Sequence, residues 1–223
     1  MNLPLIIFDC DGVLVDSEPI SIAVLREVIA GAGHEIDEAT AYRLFLGRSM
    51  TTISETLAET FGLAITDRHL QEIRRQLFAR FRAELKPVVG IREALVALPN
   101  RRCVASSSKP ERIRLSLEIT GLLDLAGPNI YSATMVRRGK PAPDLFLHAA
   151  REMAAEPTDC IVVEDSPAGI EAAKAAGMRV IAFAGGSHAA AGGLRKAFRV
   201  LDPDLVFDDM RRLPALLAEM FRR

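Results

Sequence analysis

Five short runs of branched and aromatic apolar residues, LIIF, RCVAS, CIVVE, RVIAFA and DLVF, recur along the chain with helical patterns between them. Strands written as near-continuous apolar runs are buried on both faces, which is the condition of a parallel sheet covered by crossover helices. The expected class is therefore α/β, with a Rossmann-like parallel sheet core and helices on both faces. Between the first run and the second the interval is too long for one crossover, and its periodicity is helical. Ile20, Val24, Val28 and Ile29 share a face, Gly31 and Gly33 supply a stop, and further helices are expected over 50–61 and 67–85. KPVVG at 86–90 then punctuates the return to the sheet. This predicts a core of 1–16 and 87–223 with an inserted helical cap domain at 17–86. The short tethers of such a cap predict a hinge that opens and closes it.

The first run, LPLIIF, leads straight into FDCDGVLVDSEP, where Asp9 and Asp11 stand two residues apart before Gly12. On a strand that spacing points both carboxylates to one side, so their like charges conflict unless a cation joins them. The carboxyl end of a buried strand is where an open α/β sheet holds its ligand, and hard oxygen donors suit Mg²⁺. An Asp-Gly turn with Asp11 only capping the bend is the other reading.

Three more sites fall near predicted strand ends. SSSKP places Ser106 after RCVA, with hydroxyls and amides available to an anion before a helix starting near Pro110, or with serine serving as a plain helix cap. RRGKPAPDLF carries Lys140 on a stiff loop that opens a helix, although a lone lysine ordinarily faces solvent. CIVVEDSPAGIEAAKAAGM brings a second acidic pair, Glu164 and Asp165, to the end of an apolar strand, with Gly177 ending the next helix.

Composition removes other classes. With 28 Lys and Arg against 29 Asp and Glu, the formal net charge is −1, so no global basic field points to nucleic acid or an anionic membrane surface. RRQLFARFR at 74–82 reads as a solvated cap-helix face. The three scattered cysteines, Cys10, Cys103 and Cys160, lack metal or redox spacing and imply a reduced, cytoplasmic setting. The initial apolar run is too short for a signal peptide or a membrane span. His34, His69, His148 and His188 show no ligand spacing and are expected to be structural or exposed. The glycine-rich segment AFAGGSHAAAGG, 182–193, reads as a flexible connector near the site.

Taken together and in this order, DCDGVLVD, ASSS, GKPAPDLF and VEDSPAGIEAAKAAG resemble the four motifs of the haloacid dehalogenase superfamily of phosphatases and phosphomutases, over nearly the whole chain. The resemblance implies that Asp9 is a nucleophile forming an aspartyl-phosphate and that Asp11 is a general acid and base. It implies Mg²⁺ held by Asp9, the Asp11 backbone carbonyl, Asp165 and, directly or through water, Glu164. Ser106 and Lys140 would hold the phosphoryl oxygens, and Lys140 would keep the nucleophile ionised.

Asp11 argues against carbon–halogen chemistry, because dehalogenases of the superfamily lack the second aspartate. A phosphatase acting on a small phosphorylated metabolite, a sugar phosphate above all, is the leading expectation, as a monomer or weak dimer. The alternative is a hexose-phosphate mutase like β-phosphoglucomutase. Against it, Ser21 stands where that mutase has a histidine and Met50 where it has an arginine, with Arg48 two residues earlier. Ser107, Ser108, Lys109 and Arg48 are the candidates for substrate contacts. A binding protein that has lost catalysis would be expected to lack a motif residue, yet Asp9, Asp11, Ser106, Lys140, Glu164 and Asp165 are all present.

Overall fold

The computed structural model describes residues 4–99 and 101–220; Leu3, the first residue of the opening apolar run, lies outside them. In chain order the elements are β1 (Leu5–Phe8), α1 (Glu18–Gly31), α2 (Glu38–Phe45), α3 (Met50–Phe61), α4 (Asp67–Glu84), α5 (Ile91–Ala97), β2 (Arg102–Ser106), α6 (Pro110–Ile119), α7 (Leu123–Ala126), β3 (Ile130–Ser132), α8 (Asp144–Glu152), β4 (Cys160–Glu164), α9 (Pro167–Ala175), β5 (Arg179–Phe183), α10 (Leu194–Leu201), β6 (Leu205–Phe207) and α11 (Leu213–Met220). The strands form one parallel sheet in the order β3-β2-β1-β4-β5-β6. The fold is α/β, as the apolar runs require: β1 and β4 are buried at every residue.

All five runs became strands, and the sheet adds β3, which the sequence pattern did not announce. Its three residues are too few for a periodic signal, and as an edge strand it pairs with β2 alone. Helix α2 is also additional. Its start is marked only by Asp37, whose carboxylate accepts from the Thr40 amide at 2.9 Å, and its buried face is just Ala41, Tyr42 and Phe45.

Strand register explains where the site forms. Phe8 lies level with Val104 on β2 and Val163 on β4. Asp9 therefore leaves the sheet beside the last residues of both neighbours, at the point where the strand order switches direction. The helices α1 to α4 stand above this carboxyl edge on two adjacent tethers. Val15 bridges Pro87, the Asp16 amide donates to the Lys86 carbonyl at 2.9 Å, and the Val88 amide donates to the Leu14 carbonyl at 3.0 Å. The helices also touch the core directly. Ser107 Oγ donates to the Gly47 carbonyl at 2.9 Å, Arg74 pairs with Glu111 at 2.7 Å, and Tyr42 stacks against His188. Among the described residues no helix is long and apolar enough to cross a membrane.

Candidate active site

Lys140 joins two of the predicted carboxylates. It is 1% exposed, a costly place for an ammonium unless every proton finds an acceptor. Its Nζ donates to Asp9 Oδ1 at 2.6 Å, to Glu164 Oε1 at 2.8 Å and to the Ala105 carbonyl at 3.2 Å, and it lies 4.9 Å from the Phe146 ring centre. Burial pulls its pKa down, but Asp9 and Glu164 outweigh that and hold it well above the ordinary lysine value. Glu164 Oε2 accepts from the amides of Asp165 and Ser166 at 2.7 Å each and from Ser166 Oγ at 2.9 Å. Both Glu164 oxygens are thus engaged within the protein.

Asp165 follows at the strand end, 1% exposed. Its Oδ2 is buried and makes no hydrogen bond. His188 Nε2 lies only 2.8 Å away, yet in an orientation that forms no hydrogen bond, and both ring nitrogens are also unpartnered. The structure adds two facts about 182–193. His188 is 1% exposed and faces the acidic cluster. The segment forms turns tied by hydrogen bonds: Ser187 Oγ donates to Asp16 Oδ1 at 2.8 Å and the Gly192 amide to the His188 carbonyl at 2.8 Å. His188 was detectable only as a histidine among small residues beyond a strand end. His34, His69 and His148 lie away from this site; His69 helps cap α4 with Thr66.

Asp11 is not confined to capping its turn. Its carboxylate accepts from Ser17 Oγ at 2.5 Å, Ser108 Oγ at 2.6 Å and Arg112 Nη2 at 2.7 Å, with Ser106 Oγ at 3.4 Å. Burial raises its pKa, but Arg112 and the serine hydroxyls outweigh that and hold it below the ordinary carboxylate range. No serine caps α6, whose N-cap is Lys109 without a side-chain bond. Ser106 instead accepts from the Ser108 amide at 3.1 Å. Lys109, a predicted substrate contact, is exposed and does not line the cavity described next.

Arg112, like His188, is a residue that sequence reasoning missed. A cation in the first turn of a helix opposes the helix dipole, and this anomaly in ERIR was the available signal. A cavity opens between the carboxyl edge and the helices above it. Asp9, Asp11, Ser106, Ser107, Ser108 and Arg112 line one side, and Ser21, Arg48 and Met50 are among those lining the other. Glu18 also faces it, with its pKa raised to about 8 by burial first and then by Asp11 and Asp165.

The donors fit a hard cation. Among the described residues no three His, Cys, Asp or Glu side chains are gathered into a ready ligand set, so the test rests on charge and on free oxygens. Burial raises the Asp9 carboxyl, Lys140 pulls it back, and Glu164, Asp165 and Asp11 push it up again, leaving it well above its ordinary range. Asp165 is raised likewise, by burial and then by Glu164. Asp9, Glu164 and Asp165 face one ammonium, and the unpartnered oxygen of Asp165 belongs to that surplus. An all-oxygen, anionic set of this kind suits Mg²⁺.

Gly12 makes this crowding possible. Its φ is +79°, and a Cβ there would lie 1.9 Å from Asp165 Oδ2. Gly62, with φ +65°, has open space around it. Gly62→Ala is expected to lose only the left-handed backbone term, about 1 kcal/mol. Gly12→Ala is expected to lose at least about 2 kcal/mol, since the Asp165 carboxylate must also move. Urea midpoints of the two variants check this; equal losses would contradict the contact.

Residues 3–177 match the family described as haloacid dehalogenase-like hydrolase. The chain is 29% identical over 184 residues to a 6-phosphogluconate phosphatase of Escherichia coli (strain K12), covering 82% of this chain and 83% of that protein. It is 30% identical over 182 residues to a phosphorylated carbohydrates phosphatase of Thermotoga maritima, covering 79% of this chain and 82% of that one. A crystal structure of a conserved haloacid dehalogenase-like protein of unknown function from Agrobacterium tumefaciens superimposes with a TM-score of 0.82 at 35% identity, covering 99% of this chain and 100% of the other.

Proposed function

The chain belongs to the haloacid dehalogenase-like hydrolases and is a phosphoric monoester hydrolase; from that premise we propose that it is Mg²⁺-dependent and cleaves a small phosphorylated metabolite, a sugar phosphate above all, through an aspartyl-phosphate on Asp9. The observation that carries this reading is Asp9 itself. It is a buried carboxylate on the cavity lining, with Oδ1 committed to Lys140 and no hydrogen bond to its other oxygen among the described residues.

Asp9 attacks phosphorus, the bond from phosphorus to the leaving oxygen breaks, and Asp11 gives that oxygen its proton. Water then attacks the aspartyl-phosphate, returns a proton to Asp11, and releases phosphate with the Asp9 carboxylate restored. Arg112 lowers the Asp11 pKa and so opposes its protonation; proton transfer requires this pair to loosen when the leaving group enters. Lys140 pulls the Asp9 carboxyl toward its ionised form, and Ser106 with the amide after it faces the phosphoryl oxygens. Asp9, Asp165 and the Asp11 carbonyl would hold Mg²⁺, with Glu164 anchoring the set or acting through water. When bound, the ion offsets charge on the transferred group.

Residues 17–86 act as a cap, hinged at the paired tethers around Asp16 and Lys86, that closes over the leaving group. Ser21 and Met50 bring no charge to the cavity, and on this ground hydrolysis is preferred to transfer within a sugar. The buried, unpaired Cys10, Cys103 and Cys160 agree with a reduced, cytoplasmic setting.

A screen of phosphorylated metabolites, following released phosphate with and without Mg²⁺, tests the reading. Chelation by EDTA is expected to abolish turnover reversibly. Asp165→Ala is expected to raise the Mg²⁺ concentration needed, whereas Asp11→Asn keeps metal binding and slows chemistry roughly 10²- to 10⁴-fold. Appreciable metal-free turnover, or equal loss of metal affinity in both variants, would sink the scheme.

A further inference from the structure

Arg112 does no bond-making in this scheme, yet it is a tightly placed cation on the cavity lining. Its side chain is 19% exposed, and its Nη2 donates to Asp11 Oδ1 at 2.7 Å and to Ser21 Oγ at 3.0 Å. Behind it, Phe81 packs with its ring centre 5.1 Å from the guanidinium carbon. Its Nε is buried and has no hydrogen-bond partner. A guanidinium is a fixed fork of donors suited to a carboxylate, and a buried N–H left unbonded costs free energy. Helix stability does not account for the residue either, because a cation in the first turn of α6 opposes the helix dipole.

We propose that Arg112 determines substrate specificity by binding a second anionic group, a carboxylate carried on the leaving group of the phosphorylated substrate. The proposal rests on the phosphatase reading and deepens it. The remaining charges on the lining favour a single negative charge. Arg48 has no ion pair among the described residues, so Arg48 and Arg112 together bring two positive charges to this part of the lining against the one negative charge of Asp11, and Arg112 is the one already held in place by its partners. Glu18, with a pKa of about 8, is largely protonated at neutral pH. One surplus cation matches a carboxylate, while a phosphate dianion would leave the cavity over-supplied with negative charge. Four serines also line the cavity, but Ser106, Ser107 and Ser108 lie on the Asp9 side and Ser21 Oγ already accepts from Arg112; apart from Ser21 and Glu18, the lining that α1 to α4 supply, including Ile22, Leu25, Met50, Ile53, Ile73 and Leu77, is apolar and offers a neutral polyol end few partners.

The test compares kcat/KM for three probes sharing a six-carbon open chain: 6-phosphogluconate, glucitol 6-phosphate and glucitol 1,6-bisphosphate, with 4-nitrophenyl phosphate as a reference. Native enzyme is expected to prefer the carboxylate over the neutral end by roughly 10- to 100-fold, the range of a charge-assisted bond. Arg112→Gln is expected to slow every probe through Asp11 and also to bring the carboxylate-to-neutral ratio within about threefold of one; Arg112→Lys, which keeps charge without the fork, is expected to fall between. A native ratio near one, a ratio unchanged in Arg112→Gln, or preference for the bisphosphate overturns the assignment. The native ratio decides even if a variant fails to fold. Hydrolysis of 4-nitrophenyl phosphate with none of the three probes accepted overturns the inference and leaves the phosphatase reading standing. A folded, Mg²⁺-supplied enzyme inert toward all four overturns both.

Discussion

Asp9→Asn is expected to lower turnover on the order of 10⁴-fold or more while leaving the fold intact, because the nucleophile is removed and the contact to Lys140 is kept. An amide oxygen still accepts from the Lys140 ammonium, which in the native protein lies 2.6 Å from Asp9 Oδ1. Thermal unfolding should therefore change little, and no covalent phosphoenzyme should survive an acid quench of the reaction. Residual turnover within a hundredfold of native, or a phosphoenzyme trapped from the Asp9→Asn variant, would rule out Asp9 as the attacking group.

Lys140→Met has the largest expected effect on stability. The substitution keeps an apolar stem near Phe146 but leaves Asp9 and Glu164 buried without their shared cation, 2.6 and 2.8 Å from where its Nζ stood. Removing one partner of a buried ion pair costs about 3–5 kcal/mol. The pH dependence has a definite sign. Asp9 is already raised in the native protein by burial, with Lys140 the main group pulling it down. Without Lys140 the folded pKa rises further, so the folded variant binds more protons than the unfolded chain from that raised value down to the ordinary carboxylate range. The folded variant takes up this proton at a higher pH than the folded native protein does, so its deficit should shrink as pH falls from 7 toward 5, until the native Asp9 is protonated as well. Urea titrations at both pH values in EDTA check this; a deficit that grows on acidification would show that the lost interaction is not charge pairing.

Much of the site was legible because its parts lie in short, locally encoded segments. Asp9, Ser106 and Glu164 each sit at the end of an apolar run, and a parallel sheet brings such ends to one edge. Lys140 could be named through its Gly-Lys-Pro setting, although its burial could not. Lys109 was chosen for its charge and its nearness to Ser108, but α6 begins there and turns it outward; three residues later, the helix brings Arg112 back over Asp11. Arg112 and His188 escaped because neither belongs to a local pattern, and because an isolated arginine or histidine usually lies on the surface. Strand β3 and helix α2 escaped for a different reason, being too short to show a period.

Burial on both faces and helical periodicity are properties of neighbouring residues, so the parallel sheet, the inserted helices and the oxygen-rich ends of the first and fourth strands could be read along the chain. Tertiary structure alone decided the partnerships: Lys140 with Asp9 across 131 residues, and Arg112 with Asp11 across 101. Those distances follow from strand register and from how helices α1 to α4 seat on the sheet. Both are set by the collective packing of the whole chain, so no local stretch of residues contains them.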